Sequence, residues 1–207
     1  MTNMRVVRWT MILLAVVAIA VTAAQGPAAG RAPAGGQRGG GAAPMTPMTL
    51  TTTAFADGGQ IPAKYTQAGD QTSPALTWTN PPANTVSFLL HMHDMEGVRN
   101  RTTDDQLHWL VWNIPPSVTA LSEGVPQGAE MANGSRQTSA SGPVYRGPGA
   151  PATGPMHHYT FEIFALDTKV DVPAGGDPFE TRTNAIKAIQ GHILGKAVLM
   201  GLFRRPQ

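Results

Sequence analysis

Five of the six histidines of this chain fall at three places: His91 and His93, His108, and the adjacent pair His157-His158. Asp94 and Glu96 follow the first place immediately. A carboxylate beside two imidazoles holds at least one of them protonated, which gives a group able both to accept and to donate hydrogen bonds. If the segments carrying them are neighbours, Asp94, His108 and His157 converge on one end of a sheet and suit a phosphate-like or other oxyanion ligand. Such binding is expected to strengthen as pH falls through about 6.5, the ordinary histidine range. His91 and His93 are two residues apart, so in a strand they share a face while Asp94 takes the opposite one. A metal site there needs a third ligand on the histidine side. Two hydrogen-bonded histidines on a strand face are therefore the expectation, with no metal and no cofactor. His192 reads as a polar-face or capping residue of a helix.

Catalysis has less to draw on. The chain has no cysteine and no G-x-S-x-G elbow, and Ser135, Ser139 and Ser141 lie in a loop with no histidine nearby in sequence. Asp94 with His108 or His157 has the groups for acid–base work on an ester or phosphoester. Binding rather than turnover is the expectation, with hydrolysis the lesser alternative.

The elements that must position these residues are mostly strands. Leu50 to Phe55, Val86 to His93, Trp109 to Ile114, Tyr159 to Leu166 and Ala197 to Phe203 are apolar or alternating runs of strand length. Turn residues separate them: Asp57-Gly58-Gly59, Asn80-Pro81-Pro82, Pro115-Pro116 and Pro173-Ala174-Gly175-Gly176. One helix is expected, with Asp177 as its cap, Pro178 at its first position and Glu180 at capping-box spacing. Ile186, Ile189, Ile193 and Leu194 form its apolar stripe and Gly195 its stop. Strands spread along the chain with one helix near the C-terminus predict a mainly β, antiparallel sandwich. Two long polar loops, Gly97 to Leu107 and Gly124 to Met156, are of a length that is either functional or disordered, and the Gly/Pro content of the second fits a floppy excursion equally well.

The N-terminus reads differently. Arg5 and Arg8 precede an apolar run from Trp9 to Val21, and the small residues Thr22, Ala23 and Ala24 follow. That order predicts a secretory signal peptide over residues 1–24, with an uncleaved N-terminal anchor as the lesser alternative. The run is too short for the roughly 20 residues of a membrane-spanning helix, and no cysteine follows it to take a lipid. Residues 25–48 are rich in Gly, Ala and Pro and predict a flexible tether. Residues 49–207 then form one domain able to bury a core. Without the arginines at 5, 8, 31 and 38, 11 of the 15 basic side chains remain against 13 acidic ones. The domain is thus slightly acidic despite a chain pI near 9.2, and no nucleic-acid partner is expected. The protein is expected to be exported, periplasmic or extracellular.

Several segments, in order, resemble the phosphatidylethanolamine-binding protein family, and most of all its bacterial and archaeal Raf-kinase-inhibitor-like branch. They are Ala54-Phe55-Ala56-Asp57-Gly58-Gly59-Gln60-Ile61-Pro62-Ala63-Lys64-Tyr65, Ser73-Pro74-Ala75-Leu76-Thr77-Trp78 and His108-Trp109-Leu110-Val111-Trp112-Asn113-Ile114-Pro115. Gly154-Pro155-Met156-His157-His158-Tyr159, Phe164-Ala165-Leu166-Asp167 and Gly191-His192-Ile193-Leu194 continue the likeness, which runs from about Thr49 to Phe203. The resemblance implies a β-sandwich with a small surface pocket for anions such as phosphate or a phospholipid headgroup. It also implies, as an alternative, inhibition of a kinase or protease; export makes a cytoplasmic kinase a poor partner. Carried over by position, the ligand-binding residues are Asp94, Glu96, His108, His157 and Tyr159, with Gly147 and Pro148 lining the wall. The likeness breaks at three places. The family's D-P-D-x-P reads Asp94-Met95-Glu96-Gly97-Val98, its arginine after the second pocket histidine is His158, and its G-P-x-P-P wall reads Gly147-Pro148-Gly149-Ala150-Pro151. The second departure removes a fixed cation, so weak anion binding is expected.

Overall fold

The computed structural model describes residues 47–207. The expected signal segment and tether lie outside the described residues, apart from Pro47 and Met48. Met48 is buried and packs into the core, and Pro47 accepts a hydrogen bond from the Asn80 side chain at 3.3 Å. The expected edge of the tether therefore includes one residue that the core uses.

In chain order the elements are β1 (Thr49–Thr51), β2 (Gly59–Gln60), a 3-10 turn (Ala63–Tyr65), β3 (Leu76–Thr79), β4 (Ser87–Asp94) and β5 (Gln106–Ile114). They continue with β6 (Ala120–Leu121), β7 (Arg136–Thr138), β8 (His157–Leu166), α1 (Pro178–Ala188) and β9 (Ile193–Phe203). Two sheets form, β1-β3-β6 and β2-β9-β8-β4-β5-β7. Every pairing is antiparallel except β2 with β9. Among the described residues this is the mainly β fold, with a single helix near the C-terminus, that the patterning predicts.

Strand alternation assigns the two faces of the larger sheet. From β4, Phe88, Leu90 and Met92 meet Trp109, Val111, Phe161 and Ile163 in one core, which also takes Leu50, Leu76 and Trp78 of the smaller sheet. Leu89 turns the other way, into a second core with Leu110, Trp112, Phe164, Val170, the α1 residue Ala185 and Ile189 just past the helix end. The long central strands are thus apolar on both faces, which explains their continuous rather than alternating hydrophobicity.

Two local expectations fail for identifiable reasons. The first strand stops at Thr51, short of the expected Phe55, because Thr52 bonds Ala75 O at 2.6 Å and takes the Ala54 N–H, turning the chain aside. The helix begins as expected, with the Asp177 side chain accepting from Phe179 N and Glu180 N. It ends at Ala188, well before Gly195. Gly191, at φ 84°, makes the left-handed turn out of it. Ile193 and Leu194 therefore start β9 rather than complete a helical stripe. His192 sits between helix and strand, bonded through Nδ1 to Asp167 at 2.8 Å.

Candidate functional site

The central strands β8, β4 and β5 are adjacent, and their ends bring the expected groups together. The register Asp94↔Tyr159 puts the last residue of β4 beside the first turn of β8. Asp94 lies on the side of β4 that carries Phe88, Leu90 and Met92, and His157 and Tyr159 share the corresponding side of β8. His157 Nδ1–H donates to the Asp94 carboxylate at 2.9 Å. Asp94 is buried and also accepts the Glu96 backbone N–H at 3.0 Å, which closes the turn after β4.

His108 reaches the same place through an irregularity. The register slips from Met92↔Trp109 to His93↔Leu107, leaving His108 as the extra residue of a bulge. Its ring packs edge-on against Tyr159 at 5.0 Å, and its Nδ1–H donates to Arg146 O at 2.9 Å. Only 2% of His108 is exposed, and burial pushes its pKa down to about 4. With Nδ1 carrying the proton, the neutral ring presents Nε2 as an acceptor. His108 therefore stays uncharged through the pH range near 6.5 in which an anion was expected to recruit it.

Tyr159 ties the site to the loop. Its hydroxyl accepts from Gly149 N at 3.2 Å and Ala150 N at 3.0 Å. Burial raises its pKa and the Asp94 charge raises it further, so the phenol keeps its proton. Gly147 and Pro148 are held from the other side, where Gln67 donates through its side chain to Gly147 O at 2.8 Å and through its backbone to Pro148 O at 2.9 Å. A Cβ on Gly147 would stand 2.7 Å from Tyr65 O, so only glycine lets these two backbones approach. Within the group His157 is the most exposed member, at 19% of its side chain.

The two departures at the rim are coupled. Glu96 accepts from the His158 backbone N–H at 2.8 Å and from its ring Nδ1 at 2.6 Å. Burial pulls the Glu96 pKa up, but these two bonds outweigh it and the net shift is downward. The longer acid thus occupies the residue that replaces the family arginine. Asp94, Glu96 and His157 also present donor atoms within 4.8 Å of one another.

All seven residues picked out in the sequence lie in this region: Asp94, His108, His157 and Tyr159 cluster together, and Glu96, Gly147 and Pro148 flank them. Arg146 and Gln67, which anchor His108 and the Gly147-Pro148 segment, carried no sequence signal, because both act through backbone partners. The loop serines are engaged elsewhere. Ser135 bonds Asn133, Ser139 bonds Gly142 O, and Ser141 accepts from Arg146.

His91 and His93 take the other face, as the alternation requires, but the carboxylate they meet there was not foreseen. Glu162 of β8 stands opposite His91, and Asp105 bonds His93 Nδ1.

Comparison with known proteins agrees with this fold. The family model described as phosphatidylethanolamine-binding protein matches residues 51–204. A UPF0098 protein of Methanothermobacter thermautotrophicus is 39% identical over 160 residues, covering 76% of this chain and 99% of the relative. A Mycobacterium tuberculosis protein named as a lipoprotein, LppC, is 31% identical over 160 residues, covering 76% of this chain and 72% of its own length. A solved structure of a phosphatidylethanolamine-binding protein homologue from Chlamydia trachomatis superposes with a TM-score of 0.64 at 29% identity, covering 77% of this chain and 98% of that one.

Proposed function

Because the chain belongs to the phosphatidylethanolamine-binding protein family, we propose that it is an exported binding protein whose Asp94–His108–His157 group takes a small phosphate-bearing ligand. The observation that carries this reading is the pairing of His157 with the buried Asp94 carboxylate beside a neutral, buried His108. Asp94 fixes the His157 ring through Nδ1, which leaves Nε2 as its free nitrogen. When His157 is protonated, Nε2–H donates to an anionic oxygen, and the new positive charge is balanced by Asp94. His108 Nε2 does the opposite and asks the ligand for a donor. A monoprotonated phosphate supplies both kinds of group, and so does a phosphoethanolamine headgroup with its ammonium.

The ligand's own protonation then contributes to the pH dependence. A phosphomonoester gains its P–OH as pH falls through about 6, so acid tightens binding partly by giving His108 a donor to accept. The nearby Asp94 charge and the occupied Glu96–His158 pair keep the affinity low.

Export is part of the same proposal. It is supported by the charged, apolar and small-residue order of residues 1–24 and by the lipoprotein name of the mycobacterial relative. This chain has no cysteine to carry a lipid, so release after cleavage at Ala24 or Gln25 is the expected outcome. N-terminal sequencing of exported material beginning at Met1 would contradict it.

Calorimetric titration with inorganic phosphate and with phosphoethanolamine tests the site and separates its two ligand sources. Binding of either that is lost in His157→Ala supports the reading. Binding unchanged in both His108→Ala and His157→Ala ends it.

A further inference from the structure

The outer face of β4 carries a second polar group that the anion site does not use. His91 and His93 project from it together, their rings stacked at 4.5 Å with planes 3° apart. His91 Nδ1 lies 3.7 Å and His93 Nε2 3.6 Å from the same oxygen, Glu162 Oε2. Both separations are too long for hydrogen bonds. They are close to the spacing of neighbouring donors around one tetrahedral zinc, about 3.3–3.5 Å for bonds of about 2.0–2.2 Å. His93 Nε2 is buried and has no hydrogen-bond partner.

The far side is already held at two of the three ligands, His93 and Glu162, while His91 Nε2 is buried without a partner. Asp105 binds His93 Nδ1 and is itself fixed by Arg182, whose Nη1 donates to Oδ1 at 2.8 Å. This is the carboxylate–histidine pairing that orients metal-bound imidazoles. Lys196 takes Glu162 Oε1, which leaves Oε2 for the cluster. A cavity of about 570 Å³, bordered by His91, Asp105, Arg182 and Gln190, lies beside the cluster.

We propose that His91, His93 and Glu162 form a binding site for a divalent cation of the zinc class, with water completing the coordination. Two imidazoles and one carboxylate match zinc, whereas magnesium and calcium call for oxygen ligands throughout. Both rings have to turn out of their stack for the two nitrogens to meet one ion in front of Glu162. The site is separate from the Asp94 group, from which the sheet divides it, and does not depend on the anion reading.

The test is calorimetric titration of Zn²⁺, and separately of Mg²⁺, into untagged full-length protein, with thermal melting of the same samples. The expected result is one Zn²⁺ per chain, bound tighter than about 100 μM, a raised melting temperature, and no heat from Mg²⁺. His93→Gln and Glu162→Gln each weaken binding at least about tenfold. Asp105→Asn touches only a partly exposed supporting group, so it remains informative if either ligand substitution impairs folding, and it weakens binding by about tenfold or more. No Zn²⁺ binding below about 100 μM overturns the proposal, as does binding that survives these substitutions. Binding lost only in His157→Ala also overturns it, and assigns the ion to Asp94, Glu96 and His157 instead.

Discussion

Strand β4 carries two histidine–carboxylate groups on opposite faces, one residue apart, and they solve different electrostatic problems. On the inner face Asp94 has one imidazole, His157, bonded to it, while His108 beside them is neutral because burial dominates. On the outer face two acids and two histidines sit among Arg182 and Lys196. There the outcome is split. Burial lowers both imidazoles, but the Asp105 carboxylate bonded to the ring and the nearby Glu162 charge carry His93 up to about 9, whereas burial prevails at His91. Burial alone therefore does not decide a histidine's state in this fold. At His93 the carboxylate bonded to the ring outweighs burial.

The largest expected effect follows from His108. Its pKa is about 6.5 in the unfolded chain and about 4 when folded. Between those values the unfolded chain binds more protons, so stability falls as pH falls. The contribution is intact above about 6.5 and lost below about 4, on the order of 3 kcal/mol in total. Urea denaturation at a series of pH values should show this loss, and His108→Gln should flatten it. An unchanged slope in that variant would break the contrast between the two faces.

Next is Tyr159→Phe. The ring contact with His108 survives, but the Gly149 and Ala150 N–H groups lose their shared acceptor. The expected cost is about 2 kcal/mol, with weaker phosphate binding because the Gly147-Pro148 segment is less firmly held. Denaturant midpoints and a phosphate titration check both parts.

How far this contrast was legible in the sequence differs by face. The inner group was readable because its residues fall at strand ends and match a family pattern: Asp94, His108 and His157 could be named from spacing and resemblance. The bulge that turns His108 inward was not visible, since it depends on the β4–β5 register. The outer group was half readable. Alternation put His91 and His93 on one side and Asp94 on the other, yet Glu162 stands opposite His91 only through a pairing between strands some seventy residues apart. The helix shows the same limit. Asp177 and Pro178 announced its start through local chemistry. Its end was misjudged because Ile193 and Leu194 continue a helical spacing while serving as strand residues after Gly191.

The smallest expected effect concerns the rim. His158→Arg alone should change phosphate affinity little, because Glu96 will pair with the new cation as it does with His158. Combining it with Glu96→Gln frees that charge and should tighten binding a few-fold, consistent with about 1 kcal/mol for a partly exposed ionic contact. Equal affinities for the single and double variants would show that Glu96 does not hold the replacement in check.

The anion reading is tested most directly by following the histidine ring signals of the full-length protein by NMR as inorganic phosphate is added. The expected result is saturable movement of the His157 and His108 resonances, with those of His91 and His93 on the other face unmoved, and loss of the response in His157→Ala. Saturable shifts confined to His91 and His93, or no shift at His157 at any phosphate concentration, would contradict the assignment of the ligand to the Asp94 face.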